Sequence, residues 1–151
     1  MAYKYASQLT ALSTALTEAC CPCLAARPRD CVAYRLAYLS QAHPDDFLPR
    51  PLDANPPPIR AINIPVNPTL QQILDEEHAA CDQWAISLFE NPDAARKVKK
   101  KYKSLQQNYI AELRVTPDDG ACTPTDHKQH FNLHEFAGVC LNRSVLTIFP
   151  V

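Results

Sequence analysis

The sequence predicts an all-α fold: an N-terminal helix-turn-helix that forms a dimeric four-helix bundle, a proline-rich connector, then a helical hairpin and a short C-terminal helix. Three observations carry this reading. Apolar residues make up 46% of the 151 positions, too many for a disordered chain. They recur at spacings of three and four along much of the sequence, as on one face of a helix. Only two glycines, Gly120 and Gly138, stand against fourteen prolines, which leaves few of the tight hairpin turns that β-rich folds need.

The elements follow in order. Leu9, Leu12, Leu16, Cys20, Cys23 and Leu24 lay an apolar stripe along a first helix that ends at Arg27-Pro28, because proline disfavours the helical region for the residue before it. Pro22 inside that helix removes a hydrogen bond and kinks it. Asp30 caps a second helix with Val32, Leu36 and Leu39 on one face and Tyr34 and Tyr38 beside them, ending near Ala42-His43-Pro44. Residues 1–43 thus form a dimerisation and docking pair, since two such helices cannot bury their own stripes and need a second copy.

Residues 44–68 hold eight of the fourteen prolines, including Pro56-Pro57-Pro58, interspersed with Ile59, Ile62, Ile64 and Val66. Such backbone serves as a spacer or as a strap across an apolar groove, and the isoleucines favour the strap. Residues 69–151 form a helical extension with a tail. Asn67-Pro68 opens a third helix running through Leu70, Ile73, Leu74, Cys81, Trp84, Ala85 and Leu88 to Glu90. Asn91-Pro92 opens a fourth, with Val98, Tyr102, Leu105, Tyr109 and Leu113 inside. A loop with turn chemistry at Pro117-Asp118-Asp119-Gly120 follows, and Asp126 caps a last helix bearing Leu133, Phe136, Ala137, Cys140 and Leu141. Val145-Leu146-Thr147-Ile148-Phe149 is an apolar tail that adds a strand to something or packs on the helices.

A net charge of -1 gives no global attraction to nucleic acid or an anionic membrane, and neither is an expected partner. No apolar run is long enough to span a bilayer, and Met-Ala-Tyr-Lys-Tyr does not begin a signal peptide, so the expected setting is cytoplasmic. In a reducing compartment the seven cysteines, an odd count, are expected as thiols rather than a disulfide framework.

The segment from Leu16 to Leu39 resembles the dimerisation-and-docking domain of the RIIα and Dpy-thirty motif family. Arg27-Pro28 stands where that family has Arg-Pro, Tyr34 at its aromatic position and Tyr38-Leu39 at its Tyr-Leu. The resemblance covers residues 7–42, about a quarter of the chain. It implies a non-enzymatic scaffold or adaptor with no cofactor, in which Leu9, Leu12 and Leu16 line a groove for a partner protein's amphipathic helix. Cys20, Leu24, Val32, Leu36 and Leu39 would form the core of a homodimer, or of a heterodimer with a related docking domain, and Arg27 with Pro28 the hinge. Proteins of this class serve in large multi-subunit assemblies such as the radial spokes of the cilium or flagellum axoneme, which implies a cytoskeletal location.

Other residue clusters suit other chemistry. Cys20, Cys21 and Cys23 with Cys31 offer soft ligands to zinc or copper, but structural zinc sites prefer two residues between paired cysteines, and neighbours on a helix point about 100° apart. His127, His130 and His134 share a helix face, with Cys140 as a fourth ligand. A small cysteine- and histidine-rich metal-binding protein is therefore the alternative to the scaffold. Asp30-Cys31 at a helix start is the one tempting nucleophile, because a helix N-terminus lowers a thiol's pKa, yet nothing supplies an oxyanion hole. Arg96, Lys97, Lys99, Lys100, Lys101 and Lys103 form a basic patch, read as a solvated helix face with Asp75, Glu76 and Glu77 as counter-charge or as a contact for an acidic partner.

Overall fold

A spacing of four residues marks one face of a helix, and it equally marks two full repeats of a strand. In this chain the strand often wins. The computed structural model describes residues 2–53 and 61–151, so that Pro56-Pro57-Pro58 and Ile59 lie outside the described residues. It contains helices α1 (Ala6–Ala15), α2 (Leu70–Asp82) and α3 (Pro92–Lys101). Six strands accompany them: β1 (Cys31–Ala37), β2 (Ile86–Phe89), β3 (Tyr109–Val115), β4 (Gly120–Cys122), β5 (His130–Glu135) and β6 (Val145–Pro150). All pair antiparallel in one sheet ordered β4-β5-β2-β1-β3-β6. The fold is mixed α and β, which corrects the all-α expectation.

Each correction has a local cause. The second helix expected over Val32, Leu36 and Leu39 is β1, and the four-helix bundle of a helical dimerisation domain has no second helix to build on. The third and fourth helices are real but stop at Asp82 and Lys101, after which β2 and β3 enter the sheet. Tyr109 and Leu113, four apart, belong with Ala111 and Val115 on one strand face. The last helix is replaced by β5 and a short 3-10 turn at Leu141–Ser144, and the tail is β6, paired with β3. Scarce glycine did not forbid a sheet because most connections run through helices and long loops. The tight reversal at Thr116–Gly120 uses one of the two, where an added Cβ would lie 2.2 Å from the His134 carbonyl oxygen.

Both faces of the sheet carry covering residues, so β1 and β2 read as mostly apolar runs, while β5 (His-Phe-Asn-Leu-His-Glu) alternates. One face buries Ala33, Ala37, Leu88, Leu113, Phe131 and Leu133 beneath Phe47 and Leu141. On the other, Phe89 and Ile110, with Tyr34, Leu36 and Phe149, lie under Ala94, Ala95 and Val98 of α3. α3 starts where the sequence puts it: the Asn91 side chain accepts the Ala94 N–H at 2.8 Å and Pro92 fills the first turn. Lys99, Lys100 and Lys101 end it, favourably placed against the helix dipole. α2 is capped by a reciprocal Thr69–Gln72 box, not by Asn67-Pro68. Among the described residues, no helix is long and apolar enough to cross a membrane.

The segment between α1 and β1 is tied to α2 twice. Cys21 and Cys81, 60 positions apart, are disulfide-bonded, against the expectation of thiols throughout. The buried Glu77 carboxylate accepts the backbone N–H groups of Thr17, Glu18 and Ala19 and the Thr17 hydroxyl at 2.8 to 3.0 Å. Burial favours its neutral form, but these donors outweigh that and hold its pKa at about 2. Because the folded value lies below the unfolded one, the stabilisation is present above the ordinary carboxylate pKa and lost as pH falls toward 2. Glu77→Gln is therefore expected to cost about 2–3 kcal/mol at neutral pH, read by urea unfolding. The gap between the two proteins should narrow progressively below about pH 4.5.

Candidate functional site

β1 and β2 are neighbours, but their ladder consists of one residue pair, Tyr34 opposite Phe89. Beyond it the strands part, and the buried guanidinium of Arg35 bridges the opening. Its Nη1 donates to the Ser87 carbonyl at 2.9 Å and its Nη2 to the Leu48 carbonyl at 3.3 Å, while Nε donates to the carbonyl of Asp46. Burial lowers its pKa, against the opposing pull of Asp53 and Asp46. Beside this bridge lies a cavity of about 670 Å³, walled by Leu48, Tyr102 and Leu105 and floored by Ser87, His130 and Asn132. That volume suits a small organic ligand.

Three floor and rim residues form a connected set. Ser87 and Phe89 point to the face opposite Leu88, and antiparallel pairing sets Asn132 across from Ser87 and His130 across from Phe89. Ser87 Oγ lies 2.5 Å from His130 Nε2. His130 Nδ1 lies 3.5 Å from Asp126 Oδ2. Asp126 is itself fixed: its Oδ1 accepts the N–H groups of Lys128 and His130 at 2.8 and 3.1 Å. Burial lowers the pKa of His130 more than Asp126 and Asp82 raise it, which favours the neutral imidazole, the form able to take a proton. A hydroxyl, a neutral imidazole and a carboxylate in series, opening into a cavity, is the arrangement that activates a serine for attack on a carbonyl.

No family model, curated protein or solved structure matches this chain. The chemistry therefore rests on the geometry alone.

Neither cluster weighed for the alternative metal reading is assembled among the described residues. Cys20 is exposed, Cys21 is disulfide-bonded, and Cys23 and Cys31 are half-buried free thiols. His127 and Cys140 are exposed, while His130 and His134, four residues apart on one strand, are separated by roughly 13 Å of strand. Among the described residues the cluster within ligand distance is instead Cys81, Asp82 and His134. Cys31 opens a strand rather than a helix, and burial raises its thiol pKa instead of lowering it.

The remaining predicted residues are scattered. Leu9 is buried on α1 and Leu12 and Leu16 are half-buried, whereas Leu24 is 79% and Leu39 43% exposed. Val32 and Leu36 are half-buried on β1. Arg27, the expected hinge with Pro28, makes a two-bond backbone bridge to Cys122. Of the basic patch, Arg96 pairs with Asp93 at 2.9 Å and lies over Phe149, Lys99 donates to the Leu105 carbonyl, and Lys101 lies over Tyr102. Lys97, Lys100 and Lys103 complete the run on and after α3, and Glu77, expected as counter-charge, is taken by the amides of residues 17–19. Ser87 carried no sequence signal, because a lone serine in an apolar run lacks the flanking glycines of a nucleophile turn.

Proposed function

We propose that this chain is an acyl-transfer enzyme, a serine-nucleophile hydrolase acting on small carboxylic esters or amides. The observation that carries the reading is the 2.5 Å contact between Ser87 Oγ and His130 Nε2, with His130 backed by Asp126, at the floor of the cavity. In this mechanism His130 Nε2 takes the Ser87 proton as Oγ attacks the substrate carbonyl. Asp126 stabilises the imidazolium that forms. The imidazolium then protonates the leaving group, and a water activated by the same nitrogen releases the acid. Asn132, opposite Ser87 in the strand register and facing the same cavity, supplies an amide donor for the oxyanion. Arg35 acts as a positioning residue through the Ser87 carbonyl.

Treatment of the full chain with a fluorophosphonate, followed by peptide mapping, tests the assignment. One adduct on Ser87 that disappears in His130→Ala is expected. No adduct on Ser87, or undiminished labelling without His130, would overturn it. Because the base must be neutral and its pKa is lowered, kcat/KM on an activated ester should rise with pH through a value below 6.5 and be flat at neutrality. A rise centred above pH 7 would exclude His130 as the base.

A further inference from the structure

The ends of α2 and β5 place three metal-binding side chains together, beside the serine cavity that Asp82 also lines. The ligand atoms of Cys81, Asp82 and His134 all lie within 4.8 Å of one another. His134 Nε2 is 3.0 Å from Asp82 Oδ1, and the His134 side chain is 1% exposed. Its second ring nitrogen, Nδ1, is buried without a hydrogen-bond partner among the described residues. Cys81 is fully buried, and the Cys21 sulfur is bonded to its sulfur, next to this cluster rather than within it. We propose that, when this disulfide is reduced, Cys21, Cys81, Asp82 and His134 hold a divalent cation of the zinc type in a closed tetrahedral shell.

The donor chemistry supports that cation. Two thiolates, an imidazole and a carboxylate are the ligands of borderline-soft zinc, and a full set of four with no open position is a structural site. In such a shell the ligand atoms lie roughly 3.3–3.8 Å apart, so the histidine and carboxylate, 3.0 Å apart, are already near their places, while the sulfurs must separate and Cys21 must turn toward them. Burying an imidazole against a carboxylate is costly where the pair serves only to pack a disulfide, and the nitrogen that faces Asp82, Nε2, is the one placed to ligate.

The electron balance is that of thiol–disulfide exchange. A dithiol reductant attacks one sulfur, passes through a mixed disulfide and leaves as its own disulfide. Cys21 and Cys81 gain two electrons and two protons and become thiols. Cation binding then releases both thiol protons to solvent, leaving two thiolates. In either state the segment carrying Cys21 stays fastened to α2, by a covalent bond in one and by the cation in the other.

The test uses the full chain and Co2+ as a spectroscopic probe. The protein is reduced anaerobically with a water-soluble phosphine, which becomes the phosphine oxide while water supplies the oxygen and the two protons. Titration should then give one equivalent of bound Co2+ with thiolate charge-transfer absorption and the ligand-field bands of a tetrahedral site, both bleached by Zn2+. The oxidised chain should give neither. Cys21→Ser and His134→Ala should each weaken binding at least about 10-fold, and Cys20→Ser/Cys23→Ser should leave it unchanged. Should His134→Ala fail to fold by circular dichroism, Asp82→Asn, which keeps the shape but weakens the oxygen donor, should shift the ligand-field bands. Absence of bands in the reduced wild type would overturn the proposal. So would bands that survive without His134 or persist unshifted in Asp82→Asn, and so would loss of the bands in Cys20→Ser/Cys23→Ser, which would move the metal to the neighbouring thiols. None of these readouts depends on ester hydrolysis.

Discussion

Ser87→Ala is expected to reduce hydrolysis of an activated ester by about 10⁴–10⁶-fold in kcat while leaving KM and the unfolding midpoint close to those of the wild type. The hydroxyl reaches only His130 among the described residues, so its removal breaks one side-chain hydrogen bond and nothing in the core. His130→Ala should lose as much, and the double variant little more, because nucleophile and base act as one unit and their losses do not add. Steady-state kinetics on the three variants gives the answer. Additive losses, or a Ser87→Ala variant with more than a tenth of the wild-type rate, would mean that the hydroxyl does not attack.

The largest loss of stability should come from Arg35→Met. The substitution nearly conserves volume but leaves the carbonyls of Asp46, Ser87 and Leu48 without their donor in a buried opening of the sheet. A cost of about 3–5 kcal/mol is expected by urea unfolding. Arg35→Lys should recover only part of it, because an ammonium is a point donor and cannot span three carbonyls as a planar fork does. Where the variant still folds, fluorophosphonate labelling of Ser87 should slow, since the same guanidinium fixes the backbone of the nucleophile's strand. A variant as stable as the wild type would mean that solvent or a shifted strand replaces the bridge.

How much of this was legible in the sequence depended on whether a local signal had one meaning or two. Asn91-Pro92 had one, and α3 begins there. Pro117-Asp118-Asp119-Gly120 had one, and the chain reverses there with the Asp119 carboxylate accepting the Thr116 N–H. Val32 and Leu36, or Tyr109 and Leu113, had two, because four residues fit both periods, and a sheet covered on both faces erased the alternation that would have decided between them. The site was legible only in pieces. Asp126 stood out as a cap and His130 as one of three spaced histidines, but a helical reading put His130 beside His134 rather than beside Ser87. Cys81 and His134, 53 positions apart in the sequence, could be joined only by the fold.

The strand order also sets a timetable. β1, made at residues 31–37, has as its neighbours β2 at 86–89 and β3 at 109–115, both far downstream. At about 5–20 residues per second, the ribosome needs roughly 4–16 s after completing β1 to deliver its second partner. Through that interval an apolar strand with two open edges stands on the nascent chain, a template for pairing with a neighbouring polypeptide. Expression at a reduced elongation rate should therefore lower the yield of soluble chain, and a holdase chaperone supplied during synthesis should restore it.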